Sequence, residues 1–419
     1  MKNALGLIHR FAAHTVVKNS VIVMGGAMVS NVLAYLYHLI VGRILGPTSY
    51  GELASLLALF YILNVPSTVV QTILTKFFSI LKATNKAGEA KYLFFRSLGV
   101  IVIASFLGLG VVAISADATA SFLHIESRAS LYWLYAIFSL YFIGMVPLSA
   151  LFAYQRFFAQ SALTVLGMAL RLVFAALAAP LGVTATLVSN VFANLVTLIA
   201  YVPPLRFLLK VQTRVLTLPR SRTIGYSVPT LITTLAIAAL YNQDVLLVKH
   251  FFAPTDAGIY SSLSILGKVI FYASSAITFV LFPVLSERKE LKTGTTRLVG
   301  AALLCVSALS AGLTLVYFLF PKFVVYLLYG SAYDAAIPYV GLFGVFISFF
   351  TLDNILFSAC LAVEKVFVWT IGISAAVAQF VLIWIYHSSL QTVILANTVV
   401  AAALFVALLL YYAHAKESG

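Results

Sequence analysis

The chain has 419 residues, of which 62% are hydrophobic and 9% charged, with a formal net charge of +14. A soluble domain carries about a quarter of its residues charged, so this composition excludes a water-dissolved globule. The positive charge alone would fit a nucleic-acid partner, but its placement along the chain points to a membrane instead.

A bilayer core needs roughly 20 apolar residues per spanning helix. Runs of that size begin near Ser20, Leu53, Leu98, Leu131, Ser161, Gly182, Ile224, Gly258, Leu298, Ala336, Val366 and Gln391. The expected fold is therefore all-α and polytopic, with about twelve transmembrane helices. Turn chemistry punctuates the runs at Gly46-Pro47, Pro180-Leu181-Gly182, Pro203-Pro204 and Ala253-Pro254. The division between the last two spans rests only on the short polar stretch from His387 to Gln391. The run after Lys18 is too long for the apolar core of a signal peptide. Cys305 and Cys360 both lie inside apolar runs and read as small core residues.

With a cytoplasmic N-terminus, 20 of the 26 lysines and arginines fall in cytoplasmic loops or tails. This asymmetry predicts both termini inside a cytoplasmic membrane, with basic loops facing anionic lipid and no nucleic-acid partner.

An internal repeat is visible. Val41 to Glu52 reads VGRILGPTSYGE and Val248 to Ile259 reads VKHFFAPTDAGI, aligning Pro47-Thr48 with Pro254-Thr255 and Gly51 with Gly258 at a separation of 207. Ser149, Ala150, Ala153 and Arg156 align with Ser358, Ala359, Ala362 and Lys365 at 209. Six spans separate the copies, so the expected architecture is two parallel six-helix halves, residues 1–215 and 216–419, with a central cavity between them.

Ionisable groups inside spans are costly and mark functional candidates. Lys268 falls about 15 Å into the eighth span at ~1.5 Å per residue, on a polar stripe with Ser261, Ser264, Tyr272 and Ser275. Arg171 has a similar depth in the fifth span, near Gly167, Ala175 and Ala178. Two cations at that depth suit an anionic substrate group such as diphosphate; the competing reading is a structural ion pair or snorkelling. Asp244, with Thr230, Thr234 and Tyr241 on its stripe, and Asp353 beside Asn354 are candidates for a coupling or cavity acid, or for plain interface residues. Lys76 closes the second span behind Asn64, Thr68, Gln71 and Thr72, where snorkelling competes with a cavity role. Tyr37 and His38 read as packing groups. No phosphate-cradling loop, metal spacing or nucleophile elbow occurs, so neither an enzyme nor a bound cofactor is expected.

VGRILGPTSYGELASL after the first span, YSVPTLITTLAIAALYNQDVLLVKHFFAPTDAGIYSSLSIL across the seventh and eighth, and LDNILFSACLAVEK in the tenth resemble the Wzx-type polysaccharide exporters of the multidrug/oligosaccharidyl-lipid/polysaccharide (MOP) superfamily. The resemblance implies a MATE-like arrangement and a bacterial inner-membrane flippase. Its substrate would be polyprenyl-diphosphate-linked oligosaccharide, such as an O-antigen repeat unit, moved to the outer leaflet by alternating access. It further implies membrane lipids as partners, an H+ or Na+ coupling ion, and contact with other polysaccharide-assembly proteins. Asp244 stands where many members carry an aspartate, whereas Arg171 and Lys268 match no family motif. Two rivals stand beside this reading. A cation-coupled drug antiporter usually carries an acid in the first span, which this chain lacks. A membrane glycosyltransferase or polymerase needs a large outer loop, but the longest here, around Ser115 to Ser130, offers only Asp117, His124, Glu126 and Arg128.

Overall fold

The computed structural model describes residues 2–125, 127–215, 224–290, 294–363, 365 and 367–414. Helices α1 to α14 run Lys2–Leu63, Val65–Ala83, Ala87–Leu123, Arg128–Ala153, Phe157–Ala178, Val183–Ala200, Val202–Leu209, Ile224–Phe251, Pro254–Glu290, Thr296–Leu319, Pro321–Leu328, Val340–Ala362, Val368–Ile385 and Leu390–His414. No strand occurs among the described residues.

Among the described residues, ten helical runs are long and apolar enough to cross a membrane. The first, Val21–Ala83, has 63 residues, about 95 Å at ~1.5 Å per residue, or some three bilayer cores. It is broken at Gly46, whose φ of 71° belongs to the left-handed region that a Cβ disfavours, and Pro47 then starts the next helical segment. That run therefore supplies the first two expected spans. The eighth expected span corresponds to α9, a 37-residue helix that is not among those ten. The weakest expected division, between the last two spans, is real: α13 ends at Ile385 and α14 begins at Leu390.

Besides the eight-residue α7, which spans the Pro203-Pro204 break read from the sequence, two elements had no counterpart in the apolar runs. The eight-residue helix α11 and a 3-10 stretch, Ser331–Tyr339, join α10 to α12, so the tenth span's α-helix starts at Val340 rather than near Ala336.

The chain divides into two compact units. Unit 1 comprises Met1–Val41, Pro66–Ala118 and Ser127–Arg220; unit 2 comprises Gly42–Val65, Thr119–Glu126 and Ser221–Gly419. In unit 1, Leu74, Phe78 and Leu81 of α2 pack with Phe94 of α3, Leu151 of α4 and Leu205 and Leu208 of α7. Lys91 fastens α7 by donating to the carbonyls of Leu209 (2.6 Å) and Val211 (2.9 Å) near its C-terminus. Most of α3 faces outward, with Ile103, Phe106, Leu107 and Ile114 exposed, as befits a lipid-facing helix. In unit 2, α12 is buried on most of its surface and packs against α9, α10 and α14, while α13 packs against α8.

The repeat is also local geometry. At the end of α4 the amide of Arg156 donates to Leu151 O at 2.9 Å, and at the end of α12 the amide of Lys365 donates to Cys360 O at 2.9 Å. Both are six-to-one C-terminal caps, at positions 209 residues apart.

Candidate functional site

The candidate site of unit 2 is built on α8 and α9, with support from α12, α13 and α14. Asp244 on α8 is 1% exposed. Its Oδ2 accepts from the Tyr260 hydroxyl of α9 at 2.7 Å and from Asn397 Nδ2 of α14 at 3.4 Å, and its Oδ1 accepts from the Val245 amide at 2.9 Å. Asn397 also donates to the Tyr260 oxygen at 2.7 Å and accepts from Gln379 Nε2 of α13 at 2.8 Å. Gln243 extends the chain by donating to Gln379 Oε1 and to Ala376 O. A buried carboxylate and three side-chain amides thus form a connected network, the condition under which polar groups are tolerated away from water.

Lys268 lies two turns past Tyr260 on α9 and is 7% exposed. Its ammonium sits 5.2 Å from the Tyr61 ring centroid and 5.5 Å from that of Tyr241. Tyr241 in turn stacks on Phe350 at 4.8 Å and lies 5.3 Å from Phe271. Lys268 is within electrostatic range of Asp244, yet the two form no close ion pair. The fold thus gathers Lys268, Tyr241 and Asp244, three residues singled out in the sequence, and adds Tyr61 and Tyr260.

The remaining sequence candidates are dispersed. Ser261 and Ser264 are buried, with the Ser261 hydroxyl bonded to Ala257 O of its own helix. Tyr272 and Thr234 are half-buried, as is Asn354. The side chains of Thr230 and Ser275 lie outside the described residues. Asp353 on α12 is fully buried, and neither carboxyl oxygen has a hydrogen-bond partner among the described residues. Asn64 is half-buried, whereas Thr68 and Lys76 are exposed.

Unit 1 has its own polar cluster. The Arg171 guanidinium on α5 lies over the Tyr37 ring of α1, 4.6 Å from its centroid. The Tyr37 hydroxyl accepts from Asn190 Nδ2 of α6 at 2.9 Å, and His38 meets the same ring edge-on at 5.2 Å. Tyr37 and His38 are buried packing groups, and Tyr37 is also the aromatic partner of the cation.

The two clusters occupy corresponding places in the repeat. Tyr37 and Asp244 are 207 residues apart, Asn190 and Asn397 also 207, and Arg171 and Gln379 208. Asn190, Asn397, Gln379 and Tyr260 were missed by reading charges alone. A lone amide inside an apolar run was the available signal, because in hydrocarbon it must find a partner.

The family described as "Polysaccharide biosynthesis protein" matches residues 16–289. Among solved structures, the lipid II flippase MurJ in an inward closed conformation is 11% identical, with a TM-score of 0.72 over 94% of this chain and 87% of that one. An inward-facing multidrug resistance MATE transporter of the MOP superfamily is 15% identical, with a TM-score of 0.68 over 93% and 96%. The MATE transporter DinF-BH in complex with R6G is 13% identical, with a TM-score of 0.63 over 94% of each chain. At these identities the likeness is one of fold. No curated protein matches the chain in sequence. With the match covering well over half its length, the chain belongs to the polysaccharide biosynthesis protein family, a multi-pass membrane protein with the fold of MOP-superfamily transporters and flippases.

Proposed function

We propose that the protein flips a polyprenyl-diphosphate-linked oligosaccharide from the cytoplasmic to the outer leaflet of a bacterial inner membrane by alternating access. The observation that carries this reading is Lys268, a lysine buried deep in a span and faced by tyrosine rings. Such placement is costly and serves a pathway for charge. A diphosphate gives it a purpose, with Lys268 in unit 2 and Arg171 in unit 1 as the cations it meets. Tyrosine faces such as Tyr241 and Tyr272 suit sugar rings, and the prenyl tail stays in lipid throughout. The basic cytoplasmic loops attract the anionic head group before transfer, and no covalent step is required of the protein.

The Asp244 network favours a second element, an H+ or Na+ whose binding at that carboxylate drives the conformational cycle. The same network supports the rival reading of a cation-coupled multidrug antiporter. The two part company in cells. Loss of the protein should abolish surface polysaccharide while lipid-linked oligosaccharide accumulates on the inner leaflet, and drug tolerance should not change. Lys268→Ala and Arg171→Ala should each fail to restore export at normal protein levels. Normal export from both variants would refute the cation reading, and altered drug tolerance with intact polysaccharide would favour the antiporter.

A further inference from the structure

The repeated Pro-Thr-x-x-Gly motif has no part in the site described above, yet its two copies touch in unit 2. Thr48 Oγ1 and Thr255 Oγ1 lie 3.1 Å apart. Gly51 and Gly258 meet with no side chain between them. A Cβ on Gly258 would fall 1.8 Å from Pro47 O, and one on Gly51 would fall 2.7 Å from the Gly258 nitrogen. Neither position admits any residue but glycine while this contact is made, because the obstructing atoms are backbone.

Two arms flank the contact, and they too follow the repeat. On one side, Arg43 donates to the carbonyls of Tyr326 and Leu327 at the C-terminal end of α11, Tyr333 donates to Gly42 O at 2.7 Å, and the Tyr329 ring rests against Gly42 and Tyr50. On the other side, His250 Nδ1 is 2.7 Å from Phe122 O, and the two rings stack at 4.2 Å. Arg43 and His250 are 207 residues apart, and so are Phe122 and Tyr329. The residues just before each motif therefore contact the other half near the end of its third span, at the last turn of α3 in one case and at α11, just after α10, in the other. This crosswise pattern joins backbone contacts, one exposed hydroxyl pair and helix-end carbonyls to the buried rings of Tyr50, Tyr329 and Tyr333. At its centre the contact is backbone against backbone, so a rigid-body shift can part the two glycines without repacking side chains between them.

We infer that the paired Pro-Thr-x-x-Gly motifs are a latch that closes the outer end of the transport path and must separate to release substrate. The inference rests on the flippase reading and on the orientation set by the basic loops, which puts both motifs on the outer face. Backbone-to-backbone approach at Gly51 and Gly258 explains why glycine stands in both copies.

The test uses Thr48→Cys together with Thr255→Cys in the full chain, with Cys305→Ser and Cys360→Ala as background. Oxidation of membranes should cross-link the pair, and export of surface polysaccharide should be lost and then return on reduction. Each single cysteine variant should export normally under both conditions. Failure of the pair to cross-link would overturn the contact, and complete cross-linking with undiminished export would overturn the latch. Gly258→Ala supplies a readout independent of the substrate. Its added methyl blocks closure, so a cysteine at position 48 should become more reactive toward a membrane-impermeant thiol reagent than in the Gly258 parent; unchanged reactivity in the folded variant would contradict the inference. If deleting the gene leaves polysaccharide intact, the flippase reading fails, while the cross-linking and reactivity results still judge whether the joint opens.

Discussion

Replacing Lys268 by Met separates a cation kept for its charge from one kept for its packing. Met preserves the unbranched stem and removes only the ammonium. Withdrawing an ammonium from water costs several kcal/mol even after the surroundings relax. Against that, Lys268 makes two cation–π contacts, at 5.2 and 5.5 Å, each contributing ~1–2 kcal/mol when desolvated. Asp244 adds attraction, but without a close ion pair, and it keeps its own donors from Tyr260 and Val245 in the variant. The balance is near zero or unfavourable to the lysine, so Lys268→Met should leave the fold unchanged or stabilise it by ~1–3 kcal/mol. In a chain of this length each kcal/mol moves the apparent Tm by about 2 °C or less. A thiol-reactive dye read in detergent reports this, because Cys360 is fully buried until the fold opens, provided Cys305→Ser removes the exposed thiol. The same variant should fail to export polysaccharide. A Tm lowered by several degrees would make the lysine structural, and full export would remove its charge from the mechanism.

Three more perturbations follow from the same geometry. Asn397→Leu strips a donor from Tyr260 and an acceptor from Gln379; with intramembrane hydrogen bonds contributing ~0.6 kcal/mol on average, the dye assay should show a loss of ~1 kcal/mol, and no change would mean the network does not form. Asp353→Leu should raise the apparent Tm, because it removes a fully buried carboxyl that lacks a hydrogen-bond partner among the described residues; a fall would reveal a partner essential to the fold. Tyr37→Asp puts a carboxylate beside Arg171, so a double-mutant cycle with Arg171→Gln should give a coupling of ~1–3 kcal/mol. Additive effects in that cycle would mean the side chains do not meet.

The spans were legible because a bilayer imposes a length that composition alone satisfies, and even the thin break between α13 and α14 carried its turn residues. Helices α7 and α11 escaped because eight residues fall below that length. The candidate site was legible where it held charge: Lys268 and Asp244 stood out as ionisable groups in apolar runs, and the fold brings them into one neighbourhood. Its supporting residues did not stand out, because a single Asn or Gln costs far less than a charge and leaves no periodic trace. Periodicity also places a residue on a face without saying whether that face is wet. Ser261 lies on the stripe of Lys268, yet its hydroxyl is spent on a carbonyl one turn back.

The duplication shows how one scaffold carries different polar groups in its two units. In each, an aligned asparagine, Asn190 or Asn397, donates to a tyrosine hydroxyl, at 2.9 Å in unit 1 and 2.7 Å in unit 2. The tyrosine itself has moved: it is Tyr37 on the first span in unit 1 and Tyr260 on the eighth in unit 2. That move frees the position equivalent to Tyr37 for Asp244, which the displaced hydroxyl then satisfies. Meanwhile the position equivalent to the neutral Gln379 holds Arg171. Unit 1 thus keeps a cation, Arg171, in its polar cluster, whereas unit 2 keeps an acid there with Lys268 two turns past Tyr260 on α9. Under the proposed function Arg171 and Lys268 serve the anionic head group and Asp244 the coupling cation, and the duplicated clusters differ by substitutions at three aligned or adjacent positions.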